Sequence, residues 1–185
     1  MPKADVGPNV KLFGQDTGQY CGEATGQMTR NGYPKPGDRV FYLQSTLSNI
    51  IEAHKSNPDR PNWATDPQGL RLCLQLLSNA PVNWVERAST DRRETQLFIQ
   101  QCIDQEKFPT AVLVNKGRHW VLVVGWETAA AGGGLKYVHY YDPQPVHRGA
   151  DITVTAKTWN GAKRFSKVTI KGTWMNKFVA IGQRS

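Results

Sequence analysis

Apolar positions recur at helical spacing through the first part of the chain and at strand spacing through the second. Ala24 and Met28 fall four apart on a segment that opens at Cys21 and stops near Asn31-Gly32, a glycine-type helix end. Pro34, Pro36 and Gly37 break the chain next. Val40, Leu43, Leu47, Ile50, Ile51 and His54 then trace a second helix, which ends before Ser56-Asn57-Pro58. Asp66-Pro67 reads as an N-cap followed by proline at the first helical position. Leu70, Cys73, Leu74 and Leu77 give that third helix its buried face. Asp91 and Glu94 have the spacing of a capping box, ahead of a helix carrying Leu97, Phe98, Cys102 and Ile103. Residues 1–14 read as an extended lead-in, and 82–86 as a short strand.

From Thr110 the period changes to that of strands. The runs 111–115, 119–126, 135–142, 151–156, 167–170 and 177–182 are separated by turn signals such as Asn115-Lys116-Gly117, Gly132-Gly133-Gly134 and Asp142-Pro143. The expectation is α+β: one domain over 1–185, with a helical half over about 15–106 and an antiparallel β half over about 109–183. A chain of 185 residues is long enough for a sizeable core.

Composition alters this picture in three places. No apolar run reaches the roughly 18 residues of a membrane span, and Met1–Val6 has no apolar stretch of the secretory type. Cys21, Cys73 and Cys102 are an odd number without a CxxC pair or zinc spacing, which fits a reducing compartment and calls for no metal or other cofactor. Cys73 and Cys102 lie in apolar helical patterns and read as core. The net charge of +8 is concentrated at the end, since residues 146–185 hold eight Lys and Arg against Asp151 alone. Such a segment suits an acidic protein partner, a membrane surface or nucleic acid. Its charges are dispersed enough to be a solvated face, and no nucleic-acid-binding motif accompanies them.

Candidate chemistry gathers around Cys21. A thiol where a loop becomes a helix feels the positive end of the helix dipole, which favours the thiolate. Gln15, six residues upstream, has an amide that can donate to an oxyanion beside the sulfur. A base and an orienting group come from the strands. His119 opens one eight-residue strand and Asp142 closes the next, with eight residues between them. If the two strands pair as neighbours, 126 faces 135 and 119 faces 142, with Cβ atoms roughly 5 Å apart. A slip of one residue would put the two side chains on opposite faces. His119 would take the thiol proton and Asp142 would fix its tautomer. The remaining candidates are weaker. His54 reads as packed or capping, and His139 faces away from Asp142. His147 is a loop residue within reach of a cleft. Trp120 and Trp126 read as core, and Trp63 and Trp159 as rim.

The ordered set Gln-x5-Cys-Gly-x-Ala, His-Trp-Val-Leu-Val-Val-Gly and Tyr-Asp-Pro resembles the papain-like cysteine peptidases of the compact bacterial type, such as bacteriocin-processing peptidase domains and staphopain-like effectors. By that resemblance Gln15 is the oxyanion-hole glutamine, Cys21 the nucleophile, His119 the base and Asp142 the third member, which is asparagine in the papains proper. The likeness implies a papain-like fold and a cysteine endopeptidase acting on a protein or peptide. It also implies a bacterial effector or toxin, cytoplasmic or exported by a dedicated secretion system. Gly22 departs from the pattern, because papains proper have an aromatic there, and only twenty residues precede Cys21, too few for a long pro-segment. The same triad also serves a glutamine deamidase, a transglutaminase or an amidase. A non-enzymatic protein-binding module on the same fold is the third reading.

Overall fold

A computed structural model describes residues 3–31, 42–56, 64–78, 82–129 and 134–184. In chain order the elements are β1 (Lys3–Asp5), α1 (Cys21–Asn31), α2 (Gln44–Ala53), α3 (Pro67–Leu76), β2 (Asn83–Ser89) and α4 (Arg92–Asp104). Then come β3 (Thr110–Val114), β4 (His119–Thr128), β5 (Leu135–Asp142), β6 (Ala150–Thr155), α5 (Ala156–Trp159) and β7 (Phe178–Arg184). The described chain is therefore α+β, with five helices and a seven-stranded sheet.

The strands run β2-β7-β3-β4-β5-β6, each pair antiparallel, and β1 lies against the far end of β4. The two halves are less segregated than the sequence predicts. β2, from the helical part, forms the sheet edge on β7, and the lead-in contributes β1. All five residues of β3 are buried, as in a strand covered on both faces. β6 alternates half-buried and exposed positions, as an edge strand should.

α1 is the central helix. It packs on β4 and is covered by α2 and α3. Ala24, Thr25, Met28 and Thr29 are all fully buried, so the helix that begins at Cys21 is held on more than one face. Asp66 caps α3 as expected, accepting from Gly69 N at 2.6 Å. The expected capping box of α4 does not form. Asp91 accepts from Arg93 N, while Glu94 turns outward to accept from the Ser89 hydroxyl. The buried face of α4 is Phe98, Ile99, Cys102 and Ile103, and Leu97 is exposed. Residues 34–37, Val40, Asn57-Pro58 and Trp63 lie outside the described residues, and α2 as described begins at Gln44.

Two other expectations are corrected. The run 167–170 is not a strand. Val168 bonds Lys177 and Asn176 across a tight return, and Thr169 donates to Lys116 O, so the alternation serves irregular contacts rather than a ladder. Trp159 is not a rim residue. It is buried between Tyr140 and Phe165, with centroids 5.5 Å from each ring.

Cys73 and Cys102 are fully buried, and burial pushes both thiols up to about 12. At Gly182 on β7 an added Cβ would stand 2.5 Å from the Cys102 sulfur. Gly182→Ala is therefore expected to lower unfolding free energy by about 1–3 kcal/mol through overpacking. Adding Cys102→Ala should recover part of that loss, as thermal melts of the single and double variants would show.

Candidate active site

Cys21 is the first residue of α1, and Tyr20 O accepts from Ala24 N to start the helix. The opening N–H groups of such a helix have no acceptor inside it. Cys21 is the one half-exposed cysteine, with the other two sealed in the core.

His119 and Asp142 are brought together, though not by the expected register. β4 runs on through Glu127 and Thr128, which pair with Tyr137 and Leu135. Leu122 faces Tyr141, where the expected pairing sets it against His139. The difference is two residues, with a further shift at an irregularity between Val123 and Gly125. An even shift keeps side chains on their face, so Asp142 meets His119 on the diagonal instead of directly across. His119 Nε2 donates to Asp142 Oδ1 at 2.7 Å, and both side chains are 11% exposed. The same oxygen accepts from Gln144 N at 2.9 Å, which holds the carboxylate still.

With Nε2 committed to Asp142, Nδ1 is the nitrogen left for the Cys21 sulfur, which hydrogen-bonds the imidazole. Burial works against charge on His119. The bonds to Asp142 and Cys21 and the negative charge of both partners outweigh it, and the imidazole pKa is pushed up to about 9. Three side chains from a helix start and two strand ends thus form one line: carboxylate, imidazole, sulfur.

Gln15 is fully buried beside this line. Its backbone is spliced to the turn after Asp142: Gln15 N donates to Pro143 O and His147 N donates to Gln15 O, each at 2.9 Å. Gln44 clamps the other side, accepting from Asp16 N and donating to Gly14 O. Gln15 Nε2 spends one N–H on Thr17 O at 2.6 Å, while Oε1 has no partner among the described residues. The second N–H of Nε2 is the donor it can offer an oxyanion.

The other histidines fall elsewhere. His54 is the C-cap of α2, with Nδ1 2.8 Å from Ile50 O, and His139 pairs with Thr153 on the opposite face from Asp142. His147 is exposed and lines a hollow with Leu12, Phe13, Asp16 and Arg148. Trp120 and Trp126 are buried as expected. Among the described residues no group of three or more His, Cys, Asp or Glu could hold a metal ion, and no helix is long and apolar enough to cross a membrane.

Sequence reasoning missed Thr65 and Glu23. Thr65 O accepts from Trp120 Nε1 at 3.0 Å, and Thr65 Oγ1 donates to the buried carboxylate of Glu23 at 2.8 Å. Burial raises the Glu23 pKa against the hydrogen bonds from Thr65 and Ser48. One residue therefore ties the Cys21 helix to the residue after His119. It also explains Gly22, where an added Cβ would lie 2.3 Å from Thr65 Cγ2. The only trace in the sequence is the glycine itself, at a position where an aromatic would follow the resemblance. Gly22→Ala is expected to cost about 1–3 kcal/mol of stability, and to cut Cys21 alkylation more than the melt alone explains, because the helix start must move.

No protein-family model matches the chain and no curated protein aligns with it significantly.

Proposed function

We propose that the protein is a papain-like cysteine peptidase that hydrolyses peptide bonds through a thioester acyl-enzyme. The observation that carries the reading is the Asp142–His119–Cys21 line, with its imidazole held charged up to about pH 9. Gln15, buried and fastened to the Asp142 turn, supports it.

In this reading Cys21 Sγ attacks the scissile carbonyl carbon, its proton having passed to His119 Nδ1. The carbonyl oxygen becomes an oxyanion, met by the Cys21 N–H and the spare Nε2 hydrogen of Gln15. The intermediate collapses by breaking the C–N bond. His119 gives its proton to the departing amine, leaving the acyl group on sulfur. Water then attacks the thioester, giving a proton to His119, and the carboxylic acid product leaves as the thiol is restored. Asp142 does not touch substrate; it holds the ring and the tautomer.

The test is a search for new protein N-termini made by the wild type and absent with Cys21→Ala. Cys21-dependent cuts support peptidase chemistry. Glutamine converted to glutamate in uncut chains would replace it with deamidation, and crosslinks with transglutamination. Identical proteomes, together with Cys21 alkylating no faster than a model thiol, would leave a non-catalytic binding module.

A further inference from the structure

The positive charge at the end of the sequence is not spread evenly once the chain is folded. The turn between β3 and β4, which carries Lys116 and Arg118 directly ahead of His119, is bonded to the segment between α5 and β7. Asn115 N donates to Arg164 O, Lys116 N to Ser166 Oγ and Thr169 N to Lys116 O, all within 3.0 Å. The contact is close enough that a Cβ at Gly117 would come within 2.9 Å of Val168. Lys116 is held at φ 59°, a left-handed conformation unusual for a residue with a Cβ. These bonds join Lys116 and Arg118 to Lys163, Lys167 and Lys171 on one surface, and all five are exposed.

The segment between α5 and β7 brings no counter-charge of its own, and the Glu86 carboxylate that reaches it from β2 accepts from Trp174 Nε1. Residues 152–185 contain no Asp or Glu. None of the five cations is in an ion pair among the described residues, and Asp142, the carboxylate of the site, is taken by His119. The surface also borders the site. Arg164, in the same segment, lies over the Tyr140 ring at 5.9 Å, and Tyr140 shares its strand face with Asp142. Cations within a Debye length of one another, about 8 Å at physiological ionic strength, act together on a ligand. Among the described residues Lys116, Arg118, Lys163 and Lys171 can do so without breaking an ion pair, while Lys167 also rests on the Phe178 ring, its Nζ 5.8 Å from the centroid.

We propose that this cationic rim, at the His119 edge of the cleft, receives an acidic peptide segment flanking the scissile bond, so that the enzyme prefers substrates rich in Asp and Glu on that side. The assignment of the bound peptide as substrate rests on the peptidase reading; the binding preference does not. An extended acidic segment meets the rim with alternate carboxylates and brings no bulky base to be stacked. Among the described residues the rim offers no exposed aromatic that a nucleic-acid base could use.

Binding is measured on the inert Cys21→Ala protein, full length, with fluorescent acidic and basic peptides of equal length and a poly-uridine RNA of similar charge. The acidic peptide is expected to bind at least about tenfold more tightly than the basic one at low salt. The gap should close as ionic strength rises. Lys163→Glu with Lys171→Glu, two exposed side chains in no ion pair among the described residues, leaves three cations against two carboxylates and should close most of the gap between the peptides. Lys163→Gln with Lys171→Gln serves if that variant melts early, and should narrow the gap by a smaller factor; an unchanged gap in both overturns the assignment of the rim. Equal binding of the two peptides overturns the proposal, and so does RNA binding that exceeds the acidic peptide. Cleavage by the wild type is scored separately: a peptide preference without Cys21-dependent cuts would remove the peptidase reading and leave the acidic-segment site standing.

Discussion

Alanine at Cys21 is expected to remove turnover, by roughly five to six orders of magnitude in kcat, while the protein melts within a few degrees of wild type. The two outcomes separate because of where the sulfur sits. Cys21 is half-exposed at the start of a helix whose next nine residues are buried, so the loss of one atom leaves no cavity that the core must tolerate. The substituted side chain cannot form a thioester, and nothing nearby replaces it. Cys73 and Cys102 should behave the other way round. Both are fully buried with thiols pushed up to about 12. Their alanine variants should lose about 1–3 kcal/mol of stability and keep wild-type kcat. Turnover and melting measured on the three single variants settle the matter. A Cys21→Ala protein that still turned over would end the covalent mechanism.

Asp142 is expected to show two distinct effects, one on orientation and one on charge. Asp142→Ala leaves His119 without the acceptor that fixes Nε2–H, and kcat/KM should fall by about three to four orders of magnitude. Asp142→Asn can still present an oxygen to Nε2–H and should retain far more activity than alanine. What asparagine cannot do is sustain the charge. Burial alone lowers the imidazole pKa, and the Asp142 bond is the largest influence opposing it. The His119 pKa of Asp142→Asn should therefore drop from about 9 to well below it, shifting the basic limb of the pH–rate profile to lower pH.

Stability follows with a definite sign. A histidine whose folded pKa lies above its unfolded value of about 6.5 stabilises the fold in full below that value. The contribution fades as pH rises through about 9. The stability gap between wild type and Asp142→Asn should accordingly be widest near pH 6, at most about 3 kcal/mol, and nearly closed by pH 10. A gap that stayed constant between these pH values would show that Asp142 acts only by packing. Urea unfolding at the two pH values reads it directly.

Much of this site was legible before the fold because hydrophobic alternation fixes which face a residue occupies more firmly than it fixes which residue stands opposite. The apolar signal of β4 stops at Trp126, and the polar pair Glu127-Thr128 gives no sign that the ladder continues. The register was therefore misjudged, but by an even number at the His119 end of the ladder, and His119 and Asp142 still converge. Trp159 was misread for a related reason. Lys157, Thr158, Asn160 and Gly161 make its surroundings look solvated, and no period marks a single ring that enters an aromatic stack from a four-residue helix. β1 is only Lys-Ala-Asp, too short for any pattern, and owes its conformation to the edge of β4. Thr65 was invisible because its role depends on a glycine, a tryptophan and a glutamate that converge only in three dimensions. Gln15 was legible by its spacing from Cys21, but not the splice to Pro143 and His147 that holds it.

The placement of β7 bears on how the molecule comes into being. The last strand of the sequence is not at the margin of the sheet; it lies between β2 and β3, pairing with seven residues on one side and three on the other. Until that strand is synthesised, β2 has no partner in the sheet and the two parts of the molecule cannot close around a common core. Phe178, which completes the aromatic stack behind Tyr140, arrives at the same moment. Folding must wait for contacts far apart in the chain, which makes it slow. On the ribosome, a nascent chain that already carries Cys21, His119 and Asp142 is still without the complete sheet that holds their strands until β7 has emerged.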